Sequence, residues 1–276
     1  EPLGPPPERI EPPAAEPPAE PGREADAPVR EVERRPAPSS VSVAQVTSLG
    51  ECTGPEGRTL RTLVIGNSNI YYWDLPKILT EMSRTAPPRC PRIEAEQFTR
   101  GGQNLHRLWT QGDSRGRDLA TVIRDGGWDV VVLSESIDLV DFPPPEGKYI
   151  EYATRIVEAA REAGAVPILY ASPYVDKRGR FGFVEMAEPQ IALGSRLSVT
   201  VATAGLAWLR VWQELPDVFL HHTDHSHPGP KGSVVSSMVL YAAITRASPL
   251  PLTPPVIDCF GTPCPEIPAD ELEVFK

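Results

Sequence analysis

The chain has 276 residues and a formal net charge of −10, enough for one sizeable domain and too acidic for nucleic acid or an anionic membrane to be its main partner. No apolar run approaches the roughly 18 residues needed to cross a bilayer, so no transmembrane segment is expected. The first forty residues hold twelve of the 33 prolines, nine acidic and five basic side chains, and almost no large apolar ones. Such a stretch cannot bury enough surface to offset its ordering entropy. Residues 1–45 are therefore expected as a disordered Pro/Glu-rich tether, residues 46–255 as a single core domain, and residues 256–276 as a C-terminal tail. The chain opens on Glu rather than Met, which is read as a removed signal peptide or a boundary of the sequence itself.

Within the core, RTLRTLVIG (58–66) is an apolar run ending in Gly and reads as a buried strand. DLPKILTEMSRTA (74–86) has helical spacing through Leu75, Ile78, Leu79 and Met82, and RIEAEQFTR (92–100) alternates as a second strand. NLHRLWTQ and GRDLATVIRDG make two helical pieces. WDVVVLSES (128–136) is the strongest strand, EYATRIVEAAREAGA (151–165) an amphipathic helix, and VPILYASPY (166–174) a strand again. The stretch after it carries no clear period. LSVTVATAG (197–205) then reads as a strand, with LAWLRVWQEL and GPKGSVVSSMVLYAAITR (229–246) as the last helices. Alternating strands and helices, with strands apolar on both faces, predict an α/β fold: a parallel sheet covered on each side, a three-layer α/β/α sandwich. Ligands of such sheets sit at the carboxyl ends of the strands.

The four cysteines allow three pairings. Cys259 and Cys264 bracket the turn FGTP, which suits a short disulfide loop and leaves Cys52 for Cys90. With the tether, this favours a secreted or periplasmic location.

Two serines stand in motif-like turns. GDSRG (112–116) matches the letters of a nucleophile elbow, but that elbow needs a buried strand before the serine, and NLHRLWTQ reads as helix; a plain turn is expected. GNSN (66–69) follows an apolar strand and precedes a helix, so Ser68 would lie where amide N–H groups favour negative charge. The alternative is that Ser68 or Asn69 only caps the helix. Four of the five histidines fall within HHTDHSH (221–227). Asp224 and His227 could supply a base and the partner that orients it for a serine hydroxyl. The competing readings are a zinc site, although adjacent histidines diverge and no HExxH-like ligand motif is present, and a solvated loop without a role.

VIGNSNIYYWDLPKIL, GGQNL, WDVVVLSES and TDHSHPGPKGS, in this order, resemble the SGNH (GDSL-type) hydrolases, in the branch whose first block reads GNS. The resemblance covers roughly residues 60–250. It implies a flavodoxin-like sandwich, serine esterase activity, and no metal or organic cofactor. It further implies Ser68 as nucleophile and amide donor, Gly102 or else Gly101 as a second oxyanion donor, and Asp224 with His227 as orienter and general base. His221, His222 and His225 receive no role. The third block departs from the pattern, since SESIDL lacks the family's asparagine and also the glutamine common in the GNS branch. Ser134, Ser136 or Asn104 could substitute, whereas an ionised Glu135 accepts hydrogen bonds and repels an oxyanion. A missing donor typically costs on the order of 10²–10³ in turnover. The expected activity is hydrolysis of small acyl esters, acetyl groups on carbohydrate among them. The competing class is a carbohydrate-binding or interaction domain that keeps the sandwich without turnover.

Overall fold

A computed structural model describes residue 52 and residues 56–135, 148–173, 182–259 and 262–275. The expected tether lies outside the described residues, as do Ser136 and the segment around Phe142–Pro145. The elements are β1 (Thr59–Gly66), α1 (Ser68–Tyr71), α2 (Leu75–Ser83), β2 (Arg92–Thr99), α3 (Leu105–Gln111), α4 (Leu119–Asp125), β3 (Val130–Leu133), α5 (Lys148–Glu162), β4 (Val166–Ala171), α6 (Phe183–Leu197), β5 (Thr200–Thr203), α7 (Ala204–Glu214), α8 (Pro230–Thr245) and α9 (Ala269–Phe275).

The strands form one parallel sheet in the order β2-β1-β3-β4-β5, which is the flavodoxin-like order. Side chains alternate across a strand, and here both sides are covered. Val64, Val132, Ile168 and Tyr170 pack with α2, α7 and α8, while Leu63, Ile65, Val131 and Leu133 pack with α3, α4 and α5. That double burial explains why β3 is a run of apolar residues rather than an alternation. β2 lies at the edge and is half exposed along its length.

The register differs from the sequence expectation in two places. Helix α6 occupies most of the aperiodic stretch before residue 197, with Pro189 inside it, and β5 shrinks to four residues between α6 and α7. The C-terminal tail is also part of the packed unit. Phe275 of α9 is buried in the core with α7 and α8, and Lys231 of α8 pairs with Glu271 at 2.5 Å.

Cys52 bonds Cys90 and Cys259 bonds Cys264. The first closes a 38-residue separation, worth about 4 kcal/mol in a chain-entropy estimate. Among the described residues, no helix is long and apolar enough to cross a membrane.

From β1 the chain runs to β2 on one side of the sheet and later reaches β3 on the other. Loops leaving β1 and β3 therefore part, and a crevice opens at their carboxyl ends. Ser68 follows β1 directly.

Candidate active site

Gly66 ends β1 where a Cβ would come within 2.6 Å of Ile70 and 3.2 Å of the Ser134 Cβ, so only glycine lets the turn into α1 close. Asn67 caps that short helix, accepting from the Asn69 N–H at 3.0 Å, and donates to the Gln103 carbonyl at 3.3 Å. Ser68 thereby sits at the first helical position, where the backbone N–H has no intrahelical acceptor. The second bond ties the turn to the loop after β2. Gly102 in that loop has φ +63°, a conformation that favours glycine. A Cβ on Gly101 would meet the Tyr71 hydroxyl at 2.8 Å.

On the other side of the crevice, residues 221–229 form a tight loop before α8. The Gly229 N–H donates to Leu220 O at 2.7 Å and the His222 N–H to His227 O at 2.8 Å. His225 turns through φ +55°. Asp224 organises the loop: its Oδ1 accepts from the N–H groups of Ser226 (2.9 Å) and His227 (3.0 Å), and its Oδ2 lies 2.5 Å from His227 Nδ1. Burial opposes ionisation of this carboxyl, but the bonds from the His227 ring and from the two amides outweigh it and hold the group well below the usual carboxylate range. An ionised carboxylate only accepts, so Nδ1 carries a proton, and in the neutral ring the lone pair is then on Nε2. The Ser68 hydroxyl lies 2.9 Å from that Nε2. Asp224, His227 and Ser68 thus form one hydrogen-bonded chain across 159 residues of sequence. Such a chain can move a proton off the serine as it attacks.

The other histidines go elsewhere. His221 is buried among Phe183, Trp208 and Trp212, and burial, aided by nearby His225, pushes its pKa down to about 4 against the opposing pull of Asp224. His222 lies by Tyr72 and Trp73, and His225 meets Phe219 edge-on. Among the described residues, no three His, Cys, Asp or Glu side chains group to hold a metal ion.

The third block has its own structure. Ser134 is 1% exposed, beside Gly66, and its hydroxyl has no hydrogen-bond partner among the described residues. Glu135 is buried and both its carboxylate oxygens accept from the Leu105 N–H, at 3.3 and 3.4 Å, which anchors the first turn of α3 to the end of β3. Asn104 caps the same helix, its side-chain oxygen accepting from the Arg107 N–H at 3.0 Å.

Two contacts escaped the sequence reading. The Tyr72 ring stacks on the His227 ring, centroids 4.4 Å apart and planes 8° from parallel. Asn69 donates to the Ser172 hydroxyl at 3.4 Å, linking the turn to the end of β4. The aromatic run YYW directly after GNSNI was the available signal for the first; for the second it was the position of Ser172 just past an apolar strand.

GDSRG is a turn between α3 and α4. Buried Asp113 accepts from the N–H groups of Arg115 and Arg117 and from the Arg117 side chain, so Ser114 heads a loop stapled by ion pairing.

No family model and no curated protein matches the chain. Solved structures do. A provisionally assigned SGNH hydrolase from Slackia heliotrinireducens is 22% identical, over 68% of this chain and 100% of its own, with a TM-score of 0.53. A DUF4886 family protein from Bacteroides uniformis is 12% identical over 79% of this chain and 92% of its own, with a TM-score of 0.57. An alpha/beta hydrolase enzyme from the metagenome of Lake Arreo is 13% identical over 71% and 98%, with a TM-score of 0.52. At these identities the likeness is one of fold.

Proposed function

We propose that this chain, built on the SGNH hydrolase fold, is a serine esterase of the GNS branch acting on small acyl esters. The observation that carries the reading is the bonded chain from Asp224 through His227 to Ser68 at the switch point of the sheet. Ser68 Oγ attacks the ester carbonyl carbon as its proton passes to His227 Nε2, while Nδ1–H stays on Asp224. The amides of Ser68 and Gly102 receive the oxyanion. His227 then gives the proton to the departing alkoxide, and water activated by the same imidazole releases the acid and restores Ser68. Asn104 and Ser134 are the substitutes for the missing third-block donor. Asn104 keeps its amide N–H₂ while its oxygen caps α3, and Ser134 keeps a hydroxyl beneath the turn. Acetyl groups on carbohydrate are among the esters expected. Two disulfides fit an oxidising compartment, in keeping with a secreted or periplasmic enzyme.

Hydrolysis of p-nitrophenyl acetate that survives EDTA and is lost in His227→Ala is the expected result. A folded protein that leaves the ester intact favours the non-catalytic binding domain, for which the absent asparagine speaks. Activity removed by EDTA and restored by zinc assigns the chemistry to the histidine cluster instead.

A further inference from the structure

We infer that Tyr72 is a positioning residue for the reaction, its aromatic face holding the plane of the His227 imidazole toward Ser68. The inference rests on the esterase reading above. It begins with helical spacing. Tyr72 caps the end of α1, and its N–H donates to Ser68 O at 2.9 Å. The two side chains therefore stand at i and i+4, on one face of a single turn. Ile70 of the same turn is buried and anchors it in the core. Nucleophile and aromatic ring ride on one rigid piece, so whatever the ring fixes is fixed relative to the Ser68 hydroxyl.

His227 needs a second hold because of the nature of its first. Its bond to Asp224 places Nδ1, but a hydrogen bond tolerates a spread of angles. Both partners also belong to the same loop, and a loop can swing as a unit without breaking a bond internal to it. The Tyr72 ring supplies a constraint from outside that loop, lying 4.4 Å from the imidazole and 8° from parallel. The carboxylate fixes a direction and the stacked face fixes a plane. Together they leave Nε2 aimed at Ser68 Oγ, 2.9 Å away.

The ring grips the loop at a second point. It lies 5.1 Å from the His222 ring, and the His222 N–H donates to the His227 carbonyl at 2.8 Å. Buried Trp73 meets Tyr72 edge-on at 6.1 Å and the His222 ring at 5.7 Å, which ties the aromatic group to the core. The chemistry draws on the same face. Once Nε2 has taken the serine proton the imidazole is a cation, and the face of a tyrosine ring attracts a cation. An attraction stronger in the charged state than in the neutral one speeds the step that separates them. Both effects reside in the ring and neither in the hydroxyl.

The test follows p-nitrophenyl acetate in Tyr72→Leu, which removes the ring, and Tyr72→Phe, which keeps it. Tyr72→Leu should lower kcat by about 10–30-fold with KM nearly unchanged, less than the roughly 100-fold that a 1 Å misplacement can cost, because Asp224 still holds Nδ1. Tyr72→Phe should recover most of that loss. In a His227→Ala background, Tyr72→Leu should change the residual rate by less than about twofold, since a residue that acts through the imidazole has nothing left to act on. Proton NMR adds a readout that needs no turnover. The His227 ring protons should be shifted upfield by the stacked face in the native chain and in Tyr72→Phe, and lose that shift in Tyr72→Leu. Circular dichroism checks folding, and Tyr72→Met takes the place of a leucine variant that does not fold. The same loss repeated in His227→Ala, a rise confined to KM, or a Tyr72→Phe as slow as Tyr72→Leu each overturns the inference. Unshielded His227 protons in a chain that cleaves the ester overturn it and leave the esterase standing. Shielded protons that Tyr72→Leu releases, in a chain that cleaves no ester, keep the hold on His227 and overturn the esterase.

Discussion

Ser68 and Ser114 stand in turns of similar spelling, GNSN and GDSRG, yet their surroundings differ in every respect that matters for chemistry. Ser68 leaves a buried strand, opens a helix and meets an imidazole whose far nitrogen is held by a carboxylate. Ser114 leaves a helix and heads a loop whose carboxylate, Asp113, is spent on Arg117 and two backbone amides. In one turn hydrogen bonds aim at a side chain that can react. In the other they close on the loop itself. A motif is a statement about what precedes and follows it.

Exchanging the two serines is the strongest way to break this contrast. Ser68→Ala should lower kcat for p-nitrophenyl acetate by ~10³-fold or more, whereas Ser114→Ala should stay within about twofold. Next in size, Asp224→Asn should cost on the order of 10²–10⁴ in kcat with little change in KM, because an amide in place of the acceptor leaves His227 in the wrong tautomer. Steady-state kinetics with circular dichroism as a folding control reads both.

The converse holds for the other turn. Asp113→Ala takes the acceptor from the Arg115 and Arg117 amides and from Arg117 Nε, leaving Arg117 only its bonds to Glu96 and the Gln97 carbonyl, and should destabilise the fold by about 1–3 kcal/mol in urea melts, with activity per folded molecule retained. The smallest effect concerns His221. Its folded pKa of about 4 lies below the ordinary 6.5, so between those values only the unfolded chain takes up the proton. Stability from this group is present above about pH 6.5 and is lost as pH falls toward 4. His221→Phe, placed among aromatic rings, should shrink the fall in Tm between pH 7 and pH 4.5 by a few degrees; an unchanged fall removes His221 as its source.

Much of this arrangement was legible because strands carry context. The apolar runs of β1, β3 and β4 announced a sheet buried on both faces, and the rule that ligands sit at the carboxyl ends of the strands then singled out the residues after them. Ser68 stood out as a candidate because it lies where β1 gives way to a helix, and Asp224 with His227 because they share one loop three residues apart before α8. Helix α6 was not legible, since Pro189 and a low apolar contrast blur its period. Nor was the stacking of Tyr72 on His227, which joins side chains far apart in sequence and leaves no periodic trace. The sequence rules an ionised Glu135 out as an oxyanion donor but does not show that its carboxylate anchors α3, a bond between elements that one segment cannot display.

The most direct measurement is to treat the folded protein with a fluorophosphonate and map the adduct by mass spectrometry. A single adduct on Ser68, absent from Ser68→Ala, is the predicted outcome. An adduct on Ser114, or none on a folded chain, contradicts the assignment of Ser68 as nucleophile.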